Sequence, residues 1–194
     1  MKKKGIIKEL KEHVPFTFFA VLIAIFVIAV ILYYFKKDIS EEFFHILHPL
    51  HVLASAMVTA GIYYKYKNDP GKAVMIGIIG AIAIGSLSDI IFPYLGGLIF
   101  NLNTEFHLPL FETPLIIILS AIFGCIIGIS SNLTKFPHFI HVFISVFASL
   151  FYLLTFSPDF SILYFTGTFL IVFISVIIPC CLSDIIFPFL FLKK

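Results

Sequence analysis

Two short strings in this chain hold residues that could do chemistry, and each occurs twice. The first is His48-x-x-His51 followed by Ser55 and Thr59, matched by His138-x-x-His141 followed by Ser145 and Ser149, at an offset of 90. At 100° per residue each set falls within about an 80° sector of a helix. Histidines at positions i and i+3 can hold one metal ion. They can also pass protons, because imidazole titrates near neutrality. The second string is LSDIIFP, at 87–93 and again at 182–188, an offset of 95. Each copy puts an aspartate, Asp89 or Asp184, four residues before a proline, Pro93 or Pro188. Proline has no N–H and clashes with the carbonyl four residues back. If the helix runs on to the proline, each motif should offer a carboxylate and that aspartate's own freed carbonyl, with Ser88 or Ser183 alongside. These are hard oxygen ligands for a cation or a proton. The competing reading is a kinked helix end with a solvated aspartate.

A third pair, His13-Val-Pro15 and His107-Leu-Pro109, is offset by 94. His13 and His107 are candidate ligands or ordinary interfacial residues. His45 falls at the edge of its span. Glu41, Glu42, Glu105, Glu112 and Asp159 read as solvated loop charges. For Ser55, Thr59, Ser145 and Ser149 the alternative to a site is hydrogen bonding between helices. Histidine with carboxylate suits a divalent transition metal such as Zn²⁺, Ni²⁺, Co²⁺, Fe²⁺ or Mn²⁺.

The elements that must position these groups are membrane spans. The chain is 60% hydrophobic and 12% charged, with mean hydropathy +1.10. A soluble domain carries about a quarter charged residues. Six segments approach the roughly 20 residues a bilayer needs: Val14–Phe35, Pro49–Tyr64, Lys72–Leu95, Thr113–Ser130, Pro137–Phe156 and Ser161–Phe191. The first is too long for a signal-peptide core and is read as a retained span. All 13 formal positive charges are lysines. They collect at Lys2, Lys3, Lys4, Lys8 and Lys11, at Lys65, Lys67 and Lys72, at Lys135, and at Lys193 and Lys194. Lys36 and Lys37 stand alone on the other side. The positive-inside rule then makes both termini cytoplasmic in a multi-pass protein of the cell membrane. Phe and Tyr enrichment fits lipid contact and interface anchoring. Cys125, Cys180 and Cys181 lie in apolar runs with no pairing framework, so they read as buried small hydrophobes.

The fold class expected is therefore all-α and polytopic, with six transmembrane helices in two repeats. Residues 1–95 form the first three-helix repeat, 96–112 an external connecting loop, and 113–194 the second repeat. Three spans is an odd number, so the second copy is inverted relative to the first, a recurring transporter plan. Topology then predicts two His/Asp clusters near opposite faces. One comprises His48, His51, Asp89 and His107; the other comprises His13, His138, His141 and Asp184.

The hairpin of the second and third spans adds a resemblance. His48-Pro-Leu-His51-Val-Leu-Ala-Ser55, followed after a short loop by Gly85-Ser-Leu-Ser-Asp89, resembles the YdjM-like membrane-bound metal-dependent hydrolases. Leu50 stands where those proteins have a threonine, and Asp89 directly follows Ser88 without the family's second histidine. The resemblance implies His51, Asp89, His141 and Asp184 as metal ligands. Three functions compete: a small secondary carrier for a metal cation, with proton coupling; a hydrolase that activates a metal-bound water; and a structural or partner-binding membrane subunit. No P-loop, GxGxxG, CxxC pair or GxSxG is present, and nothing points to nucleic acid. The partners expected are the lipid bilayer and a small cation, and six short spans admit a homodimer.

Overall fold

The computed structural model describes residues 14–15, 17–30, 40–131, 135–157, 165–181 and 187–191. Among the described residues all regular structure is helical. In chain order the helices are α1 (Thr17–Val30), α2 (Glu41–Lys67), α3 (Pro70–Ser86), α4 (Phe92–Ile99), α5 (Pro109–Glu112), α6 (Pro114–Ser131), α7 (Lys135–Phe156), α8 (Phe165–Cys181) and α9 (Phe187–Leu190). A single π-helical turn, Leu87–Ile91, joins α3 to α4, so Pro70–Ile99 forms one rod of 30 residues.

Local chemistry sets the ends of these rods. The Ser40 side chain accepts from the Glu42 N–H and caps α2, with Glu41 and Glu42 in the first turn. Lys65 and Lys67 occupy the last turn, so charge opposes the helix dipole at both ends. Asn68 closes α2 in the left-handed region (φ 50°) and donates to the Tyr64 carbonyl, a conformation Asn tolerates better than most residues. Asp69 then caps α3 and Pro70 takes its first position. The second span therefore starts at Glu41 rather than at Pro49. Pro49 lies inside α2, where it cannot donate to the His45 carbonyl. Hydropathy alone placed the proline at a helix start because the polar first turn lowers the window average.

Among the described residues three helices are long and apolar enough to cross a membrane: Glu41–Lys67, Pro70–Ile99 and Pro114–Ser131. The other three expected spans correspond to the shorter described apolar stretches Thr17–Val30, Ile140–Phe156 and Thr166–Cys180. Outward faces are apolar: Phe19, Ile23 and Phe26 on α1, Leu115, Phe123 and Ile126 on α6, and Leu170, Ile174 and Ile178 on α8 are all exposed. Water would not tolerate so continuous an apolar surface, whereas lipid does.

The interior divides into two cores. One draws Ala20, Val21 and Ala24 from α1, Val142, Val146 and Leu150 from α7, and Val172 and Val176 from α8. The other draws Val52, Ala56 and Ala60 from α2, Ala73 and Ile76 from α3, and Ile117, Ala121 and Cys125 from α6. The first apolar segment of each half thus packs with the second and third of the other half. Across the join α2 runs antiparallel to α7, since His51 meets His141, Phe43 meets Phe151 and Phe44 meets Tyr152. On its other side α2 lies backbone to backbone with α6. A Cβ at Gly124 would overlap the Leu53 carbonyl oxygen, and one at Gly128 would overlap that of Met57. The Gly-x-x-x-Gly spacing is what allows such close approach between apolar helices.

A candidate metal centre between the two halves

Asp89 sits in the π-turn and is fully buried. The turn comes from hydrogen bonding one residue further along the chain, with the Phe92 N–H donating to the Leu87 carbonyl. Such single-turn widenings recur at functional sites because they re-aim side chains. Here the widening also changes the expected backbone bookkeeping. Five residues back from Pro93 is Ser88, not Asp89. The Ser88 carbonyl takes its proton from Ser149 Oγ at 3.0 Å. The expectation that Asp89 would present its own freed carbonyl assumed an uninterrupted α-helix. The structure instead gives α7 a handle on Ser88.

The Asp89 carboxylate is held on both oxygens. His48 Nδ1 and His51 Nδ1 donate to Oδ2 at 2.9 and 2.7 Å. On the other side Ser88 Oγ lies 2.8 Å from Oδ1 and Ser145 Oγ lies 3.1 Å from it. Ser149 also reaches back to the Ser145 carbonyl at 2.8 Å. A charge in an apolar interior is tolerated only when paired and hydrogen-bonded, and this one is met from α2, from its own turn and from α7. His51 is the sharper case. With its Nδ1 proton directed at Asp89, the neutral ring has a bare lone pair on Nε2. That atom is buried and has no hydrogen-bond partner. Carboxylate–histidine pairing of this kind fixes tautomer and ring orientation in metal sites.

The His51 ring stacks on His141 with centroids 4.6 Å apart and planes at 19°. Cys180 Sγ of α8 lies 3.9 Å from His141 Nε2. One ligand atom from each of His51, His141 and Cys180 falls within 4.8 Å of the others, and all three residues are buried. A second such group lies nearer the surface: His45, His107 and Glu112, with His107 Nδ1 to Glu112 Oε1 at 2.9 Å. The connecting loop places His107 there. The Glu105 N–H donates to the Phe156 carbonyl, Tyr152 Oη donates to the Glu105 carbonyl, and Thr104 meets Ser157 at 3.0 Å. His107 stacks on Phe156 at 4.4 Å. Burial lowers the His107 imidazole pKa below its ordinary value, opposed by the Glu112 carboxylate.

Sequence reasoning singled out most of these residues but grouped some of them differently. His48, His51 and Asp89 do come together, while His107 joins His45 and Glu112 one step further out. Glu112 is exposed yet ion-paired, not merely a solvated loop charge. His141, expected in a cluster with Asp184, stacks on His51, and Ser145 and Ser149 serve Asp89 and Ser88 across the join. Antiparallel packing of α2 on α7 brings the described parts of the two polar stripes together; the side chains of the remaining members of the second expected cluster lie outside the described residues. Ser55 and Thr59 are buried further along α2. Pro188 is buried in α9. His13, Ser183 and Asp184 lie outside the described residues, as does the side chain of His138. Cys180 was passed over as a small hydrophobe. The available signal was its position in the sequence four residues before Asp184. No protein-family model, no curated protein and no solved structure matches this chain, so its functional reading rests on the geometry of the site.

Proposed function

We propose that the chain is a multi-pass integral membrane protein that carries a metal cation across the bilayer, with proton coupling. The observation that supports this is the burial of Asp89 in a membrane-length apolar rod, beside two ligand groups to which α2 contributes His51 and His45. An ionisable side chain at such a depth is costly and points to an ion or proton pathway. His45 and His51 are separated along α2 by ~9 Å of helical rise, with His48 and Asp89 between them. A cation entering at His45, His107 and Glu112 would thus find a second set of ligands deeper in the same interface. This reading takes the six apolar segments as spans, the lysine-rich ends as cytoplasmic, and the two halves as an inverted repeat in the cell membrane. The contact between His51 and His141, equivalent positions of the repeat, supports an axis of pseudo-symmetry passing between α2 and α7.

The test is flux in proteoliposomes loaded with a metal-sensitive dye. The wild-type protein should admit metal down an imposed gradient, and both Asp89→Asn and Asp184→Asn should abolish it. Absence of wild-type flux, or equal flux in Asp89→Asn, would sink the carrier reading. If only Asp89→Asn impairs the protein, a one-sided hydrolase using the same ligands is favoured, since a carrier needs both halves.

A further inference from the structure

We propose that His51, His141 and Cys180 form a binding site for Zn²⁺, with Asp89 orienting His51. The proposal deepens the carrier reading and relies on it only for the idea that this zinc is cargo. Cys180 decides the chemistry. A thiolate with two imidazoles is a donor set for soft and borderline cations and a poor one for Mg²⁺ or Ca²⁺, which take oxygen. The 3.9 Å between Cys180 Sγ and His141 Nε2 is near the ~3.5 Å that ordinary Zn–S and Zn–N lengths give at a tetrahedral angle. His51 Nε2 has its lone pair free and no other partner. Two separate halves of the chain supply the ligands, so binding clamps α2, α7 and α8 to one point.

Charge selects further. Among the described residues at this site, Asp89 and an ionised Cys180 are the negative groups. They neutralise Zn²⁺ and would leave Cu⁺ with a net negative charge in an apolar interior, where unbalanced charge is costly. A bound Zn²⁺ would be held by Cys180 as the thiolate; the S–H bond would break, its proton passing to water, and an S–Zn bond would form with no change of oxidation state. Three protein ligands also leave a fourth position open, as a transient site requires.

The repeat gives the sulfur a side. Position 180 corresponds to Gly85 at the LSDIIFP offset, and a Cβ on Gly85 would lie 3.8 Å from His48 Cε1 and 3.9 Å from His51 Nδ1. The first half therefore faces its histidines with a bare glycine where the second half places a thiol. The metal should sit off-centre, on the α8 side.

Co²⁺ titration of the purified full-length protein in detergent reads the site directly. One equivalent should give a sulfur-to-cobalt charge-transfer band that Zn²⁺ displaces and excess Mg²⁺ leaves intact. Cys180→Ser should remove the band and weaken Zn²⁺ binding at least tenfold, while Cys125→Ser and Cys181→Ser keep both. If Cys180→Ser fails to fold, X-ray absorption at the zinc edge of wild-type protein serves instead: one sulfur neighbour is expected, and a shell of nitrogen and oxygen alone overturns the site. No Co²⁺ band in wild type, or an unchanged band in Cys180→Ser, overturns it as well. Zinc held through Cys180 without flux leaves the site standing and removes the carrier reading; flux indifferent to Cys180→Ser does the reverse.

Discussion

Asp89 shows how little freedom a buried carboxylate leaves its neighbours. Its two oxygens accept from His48, His51, Ser88 and Ser145. An asparagine there keeps one acceptor oxygen and turns the other into a donor. If the amide nitrogen takes the Oδ2 position, both His48 and His51 must move their protons to the far nitrogen, which for His51 blocks the Nε2 lone pair; if the carbonyl takes it, the NH2 faces Ser88 and Ser145 and the charge that orients His51 is lost. Asp89→Asn should therefore lose stability by about 1.5–3 kcal/mol, the range for hydrogen bonds to a charged group. It should also weaken metal binding 10–100-fold, as loss of a ligand-orienting partner does. Ser145→Ala removes one donor while Ser88 still serves Oδ1, and should cost about 1 kcal/mol. Denaturant titration in detergent checks the order; a larger loss in Ser145→Ala would contradict the account. The histidine stripe and its aspartate were legible in the sequence because polar residues at helical spacing in an apolar run have few innocent explanations. Cys180 was not, because a cysteine in such a run looks identical whether it packs or ligates until its neighbours are known.

At the scale of elements, the apolar rods were legible and their joints were not. Spacing and hydropathy marked α2, the α3–α4 rod and α6, and the expected third span already ran through Pro93, but nothing in the pattern marked the π-turn by which the chain continues there. The difference is one residue of hydrogen-bond register, invisible to a hydropathy pattern, yet it decides that Ser88 rather than Asp89 offers a carbonyl to Ser149. The α2–α6 contact was likewise unread, although Gly124-x-x-x-Gly128 is in plain view. Small residues specify that backbones can approach, not which helix approaches. The packing makes a prediction independent of the site. Gly128→Val drives a branched side chain into the Met57 carbonyl and should destabilise by about 1–3 kcal/mol, the range for overpacking. The same change at exposed Leu115 should be close to neutral. Thermal unfolding of both variants in one detergent decides the matter, and equal melting would mean that α6 does not pack on α2 as described.

For the molecule as a whole, three landmarks that recur in order at near-constant offset divide the sequence into two halves. What the sequence left open was how the halves meet. Each core mixes the first apolar segment of one half with the second and third of the other, so neither half has a complete interior alone. The site lies where they join, and its ligands come from both. This arrangement requires the ends of the α3–α4 rod to lie far apart. Thirty residues of helix span ~45 Å, more than the hydrocarbon thickness of a bilayer. Lys67 lies just before the rod and Glu105 beyond its far end, and both are exposed. If the rod crosses the membrane, single cysteines at Lys67→Cys and Glu105→Cys must react with an impermeant maleimide from opposite sides. The proposed topology adds the direction, since it places the lysine-rich 65–72 turn on the cytoplasmic side. In right-side-out vesicles Glu105→Cys should label directly and Lys67→Cys only after permeabilisation. Labelling of both from one side would remove the crossing rod, and with it any path that runs from His45 inward along α2.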